Sequence, residues 1–142
     1  MKAANALNAY RETQIKTAGQ ITLIIMLYDG AIRNIKLAIE NAHSGHSEYD
    51  AINNHIIKAQ DIISELMISL DFEKGGDIAR NLFDLYMYVN RKLLEANMKK
   101  TAEPLEEVRS LLSELRDAWS RISQNSDRNS AVGGENGINI AG

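Results

Sequence analysis

The chain has no cysteine and a single proline, and aromatic residues fill only 6% of its 142 positions. Without cysteine there is no thiol nucleophile, no disulfide redox pair and no thiolate metal ligand. The missing disulfides, and the lack of a basic stretch leading into an apolar one after Met1, lead us to expect a cytoplasmic protein without a secretory leader. Neither charge is in excess, since 16 Lys and Arg stand against 19 Asp and Glu for a net of −3. Nothing in that balance points to nucleic acid as a partner. No apolar run approaches the roughly 18 residues of a membrane span, so membrane insertion is not expected.

What the chain does have is helical periodicity. Ile21, Ile24, Tyr28, Ile32, Ile35 and Ile39 recur at spacings of three and four, which puts them on one stripe of a helix starting near Thr17 to Gln20 and ending near Ala42. Leu23 to Tyr28 is a continuous apolar or aromatic run, so side chains point outward in every direction over nearly two turns. A soluble helix that is apolar all round is either fully surrounded or awaits a partner. Asp29 and Arg33 have the spacing of an ion pair along the helix. Gly30 costs about 1 kcal/mol relative to alanine inside a helix, which suggests that something packs closely there.

Three more helices follow. Ser47 and Asp50 resemble a capping box, and Ile52, Ile56, Ala59, Ile63, Leu66 and Leu70 form the second stripe, which Lys74-Gly75-Gly76 is expected to stop. Asp77 is placed to cap a third helix with Ile78, Leu82, Leu85, Val89 and Leu93 on its stripe, widened by Phe83, Tyr86 and Tyr88. Thr101 opens a fourth, with Pro104 and acidic residues in its first turn and Leu105, Val108, Leu112, Leu115, Trp119 and Ile122 inward. Residues 1–18 read as a mobile N-terminal arm with a short amphipathic turn, 19–125 as the helical body, and 126–142, rich in Asn, Ser and Gly, as a disordered tail. Four amphipathic helices with short turns predict an all-α, antiparallel up-down four-helix bundle.

The sequence offers little chemistry. Glu40-Asn41-Ala42-His43 has the Glu-x-x-His spacing of di-iron bundles, but a site needs a second copy and two further glutamates. His43 and His46 lack a carboxylate partner, and the glycines near Gly133 lack the lysine and strand–helix setting of a phosphate loop. No metal, cofactor or catalytic residue is expected. His55-Ile56-Ile57-Lys58-Ala59 resembles the His-x-x-Lys-small pattern of histidine phosphotransfer bundles, where an exposed mid-helix histidine carries the phosphoryl group. That is the alternative functional reading.

A second resemblance extends over most of the chain. Tyr10-Arg11-Glu12-Thr13-Gln14-Ile15-Lys16-Thr17-Ala18 and Leu27-Tyr28-Asp29-Gly30-Ala31-Ile32-Arg33 look like the signature of the flagellin export chaperone family, FliS. Lys58-Ala59-Gln60-Asp61-Ile62-Ile63, Ser69-Leu70-Asp71, the Gly75-Gly76 turn, Asn81-Leu82, Leu85-Tyr86 and Leu115-Arg116-Asp117-Ala118-Trp119 resemble later stretches of that family in the same order. One departure is Gly19-Gln20, where the family commonly has Ser-Pro opening the long helix.

The resemblance implies a non-enzymatic chaperone of the bacterial cytosol. It would bind the disordered C-terminal segment of newly made flagellin one-to-one, block premature polymerisation and present it to the flagellar type III export gate. Folding a segment on binding costs about 2–5 kcal/mol, so the interface must be large and apolar. Leu23, Ile24, Leu27, Tyr28 and Ile35 are the candidate flagellin-binding residues on the long helix, with Tyr10 and Ile15 lining or guarding the groove from the arm. The competing use of the same face is to bury it against the arm or against a second copy, as a weak homodimer.

Overall fold

The computed structural model describes residues 17–44 and 48–136, with side chains described within 19–125. The N-terminal arm, with Tyr10 and Ile15, the second-helix cap Ser47 and the last residues of the tail lie outside the described residues. Four helices make up the rest: α1 (Thr17–Ala42), α2 (Tyr49–Ile68), α3 (Phe72–Lys99) and α4 (Glu103–Asn136). α1 packs on α2 and α4, and α3 packs on the same two neighbours, which gives a four-cornered antiparallel bundle.

The core follows the predicted stripes of α1 and α2 closely. Tyr28, Ala31, Ile35, Ala38 and Ile39 from α1 meet Ile52, Ile56, Ala59, Ile63 and Leu66 from α2. Leu105, Val108 and Leu112 close the core from α4, while Leu115 and Trp119 are only half-buried and Ile122 is exposed. α4 continues as a helix through Asn136, past the expected bundle boundary at 125 and into the stretch expected to be a disordered tail. Gly30 has the close neighbour its cost implied: a Cβ there would stand 3.3 Å from Ile62 Cδ1 on α2.

α3 departs from expectation in two ways. First, Gly75 and Gly76 do not stop α2, which ends at Ile68 with Ser69 as its cap; the Ser69 hydroxyl donates to the Leu66 carbonyl at 2.7 Å. Asp71, not Asp77, is the N-cap of α3, its carboxylate accepting from the Lys74 amide at 3.0 Å. Asp77 lies further in and pairs with Arg80. Second, Val89 and Leu93 are buried as expected, but Ala79 and Tyr86 take the buried places expected of Ile78 and Leu85, and Ala96 extends the stripe. Ile78 is 70% exposed, because the small Ala79 is what fits beneath the turn made by Gly75.

Two further contacts differ from the local reading. Asp29 reaches across to Arg116 on α4, in two hydrogen bonds of 2.8 and 3.3 Å, instead of pairing with Arg33 along its own helix. α2 begins after Glu48, which makes no side-chain cap hydrogen bond.

Candidate binding site

The two loop-proximal turns of α2 and α3 end at a void. A cavity of about 180 Å³ opens there, lined chiefly by Ile24 of α1, Leu66 and Leu70 at the end of α2, Ala79, Leu82 and Tyr86 of α3, and Trp119 of α4. The local sequence explains it. α2 stops at Ile68, three residues connect it to α3, and the residues facing the gap, Gly75 and Ala79, are too small to fill it. A Cβ added at Gly75 would stand 2.8 Å from the Ala79 Cβ, so the turn comes in closely only because residue 75 has no side chain. The polar lining is confined to Ser69 and Asp71, and both of those side chains already cap helix ends.

One wall of the cavity is backed by a hydrogen bond that crosses the bundle diagonal. The hydroxyls of Tyr28 on α1 and Tyr86 on α3 are 2.6 Å apart, with ring centroids at 6.3 Å. Trp119 lies close enough to the Tyr28 hydroxyl to temper the rise that burial imposes on its pKa. Burial pushes both phenols above their usual range, and for Tyr86 the proximity of Tyr28 adds to it. Both are therefore neutral at physiological pH, and the cavity presents an uncharged apolar wall.

The predicted residues divide by burial. Ile24 lines the cavity, and Leu23 and Leu27 are half-buried on the same stretch of α1, beside Met26, which is 61% exposed. Tyr28 and Ile35 have no accessible surface. They share the stripe that faces the core and pack inside the bundle in this conformation. Leu66, Leu70, Leu82, Tyr86 and Trp119 line the cavity without having been singled out. The available signal was Asp71, three residues before Lys74, which marks the true start of α3 and so the position of the gap.

A second apolar strip lies elsewhere on α3. Met87, Leu94 and Met98 are exposed at spacings of seven and four, one face of a helix, and Ile57 of the neighbouring α2 is exposed as well. The Asn97 amide donates to Asn53 Oδ1 at 2.8 Å and fixes the register between these two helices.

His55 does not stand clear of the surface as a phosphoryl carrier would. It is half-buried, and its Nδ1 lies 3.1 Å from Asn34 Oδ1. The Asn34 amide nitrogen donates to the Gly30 carbonyl, which leaves Oδ1 as the acceptor and places the proton on His55 Nδ1. Among the described residues no group of three or more His, Asp or Glu is arranged to hold a metal ion, and no helix is long and apolar enough to cross a membrane.

Comparison with known proteins places these features in a family. The sequence model of the family described as Flagellar protein FliS matches residues 3–126. The chain is 39% identical over 128 residues to the flagellar secretion chaperone FliS of Salmonella typhimurium, covering 87% of this chain and 93% of that protein. It is 32% identical over 135 residues to the flagellar secretion chaperone FliS of Bacillus subtilis, covering 94% and 98%. A flagellar secretion chaperone of Pseudomonas aeruginosa is 35% identical over 130 residues, covering 87% and 99%.

Proposed function

The chain belongs to the FliS family, and from that premise we propose that it is a cytosolic, non-enzymatic export chaperone for flagellin. It binds the C-terminal segment of flagellin one-to-one, keeps that segment from polymerising, and hands the complex to the flagellar type III export gate. The observation that carries this reading is the largely apolar cavity beside α1, bordered by apolar side chains that a monomer leaves partly in water. Such a surface suits an amphipathic helix whose apolar residues lie in a groove. Holding the partner needs no chemical step, because a ligand that binds one state displaces the equilibrium by mass action alone.

The flagellin segment would enter as a disordered chain and leave water as a helix. The cavity accepts one of its apolar side chains, Leu23, Ile24 and Leu27 pack beside it, and the exposed strip of Met87, Leu94 and Met98 gives a long segment a further face to follow. Tyr10 and Ile15, from the N-terminal arm, also contribute contacts in this proposal.

Isothermal titration with a peptide of the flagellin C-terminal segment tests it. The expected result is a one-to-one complex, a negative heat-capacity change from apolar burial, and a gain of peptide helicity. Ile24→Ala and Tyr10→Ala should each weaken binding about tenfold, roughly the 1.4 kcal/mol expected of a lost apolar contact. His55→Gln should bind like the wild type. No heat with the peptide, together with phosphoryl transfer to His55 from a phosphorylated response regulator, would overturn the proposal.

A further inference from the structure

α3 contains one residue that is not helical. Gly76 has φ 50° and ψ −124°, the conformation of the first central residue of a type II′ turn, which L side chains rarely adopt. Gly76 therefore separates a single helical turn, residues 72–75, from the body of α3. The turn is complete in itself: Asp71 caps it, and the Gly75 amide donates to the Asp71 carbonyl at 2.7 Å. Its side chains Phe72, Glu73 and Lys74 are exposed. What ties it to the helix beyond the kink is the edge of the Phe72 ring against Phe83, centroids 5.9 Å apart, and the close seating of Gly75 on Ala79. Apart from its chain neighbours and the helix's own backbone, nothing lies within 4 Å of the place a Cβ would occupy on Gly76, so that side of the pivot is open.

The turn also forms part of the cavity, to which it contributes Gly75 and its cap Asp71. We propose that residues 72–75 are a hinged lid on the cavity, pivoting at Gly76 and latched by Phe72 on Phe83, and that the lid swings out to widen the mouth for an apolar side chain of an incoming helical segment. The size of the cavity supports this. About 150 Å³ lined by apolar side chains holds one benzene-sized ring. At about 180 Å³ the cavity, with the turn in its present position, has room for one such group and little more. Identifying the incoming segment as flagellin rests on the chaperone reading, whereas the hinge itself does not.

Trp119, the one tryptophan of the chain, lines the same cavity and reports on it. The test is acrylamide quenching of its fluorescence in the full-length chain, with far-UV circular dichroism confirming the fold. Phe72→Ala removes the latch and should raise the quenching constant about twofold, because an opening that is rare in the wild type becomes populated. Gly76→Ala should act in the same direction, since an L side chain disfavours the closed pivot. Wild-type quenching in both variants, with the fold intact, would make the turn a fixed wall and overturn the lid. If Gly76→Ala fails to fold, Phe72→Ala alone decides. Raised quenching in a protein that does not bind the flagellin peptide would uphold the lid and defeat the chaperone reading.

Discussion

The tyrosine pair on the bundle diagonal allows a quantitative test of what holds α1 to α3. Tyr28 and Tyr86 are 0% and 1% exposed, so removing one hydroxyl strands the other without access to water. A stranded buried hydroxyl costs about 1–3 kcal/mol, whereas removing both members of a pair is nearly neutral. Tyr86→Phe strands the Tyr28 hydroxyl and should cost about 1–3 kcal/mol. Tyr28→Phe strands the Tyr86 hydroxyl in the same way and should cost a similar amount, about 1–3 kcal/mol. The double variant should be more stable than the sum of the singles by about 1 kcal/mol. Urea unfolding at pH 7, followed by far-UV circular dichroism, gives all three values. Singles that add to within about 0.4 kcal/mol would refute the coupling.

The same pair sets an alkaline limit. Both folded-state pKa values are raised, by burial first, so the folded chain keeps protons that the unfolded chain releases above about pH 10. The stabilisation is fully present below that pH and falls as pH rises further, by up to about 1.4 kcal/mol per pH unit for each tyrosine. The double phenylalanine variant should lose this part of the slope.

Other sites give simpler expectations. Leu93→Ala, in the fully buried stripe of α3, should cost about 2–5 kcal/mol by chemical denaturation. Gly30→Val should cost about 1–3 kcal/mol through overpacking on Ile62, while Gly30→Ala, which asks that side chain to give only slightly, should leave the melting temperature close to wild type. Arg116→Ala, breaking an exposed pair with Asp29, should cost less than about 1 kcal/mol, and the loss should shrink further in molar salt.

The elements that were readable from sequence are those whose signals are repeated. α1 and α2 each carry a stripe with five core positions, and any one ambiguous residue is outvoted. The α2–α3 connection is a single event with two chemically sensible readings. Gly75-Gly76 can end a helix or kink one, and Asp71 and Asp77 are both good caps. Only the packing of Gly75 on Ala79 decides between them. The same packing shifts the start of the α3 stripe, since Ile78 is the more hydrophobic residue and Ala79 the one that fits. The site was legible in part for a related reason. The all-round apolar run on α1 marks the correct helix, but the cavity requires Leu66, Leu82 and Trp119 to converge from three other helices, a tertiary fact with no local signature. Asp29 choosing Arg116 over Arg33 belongs to the same class.

The exposed side chains on the outer surface include Met26, Met87 and Met98. A thioether chain is unbranched, polarisable and turns about three bonds, so it moulds to an irregular neighbour at little cost. A branched or aromatic contact would hold its counterpart to one shape. A methionine contact instead lets the counterpart substitute leucine for isoleucine or phenylalanine and still find a fitting surface. Wherever these three residues meet another protein, that protein is therefore free to drift in sequence without this chain having to follow.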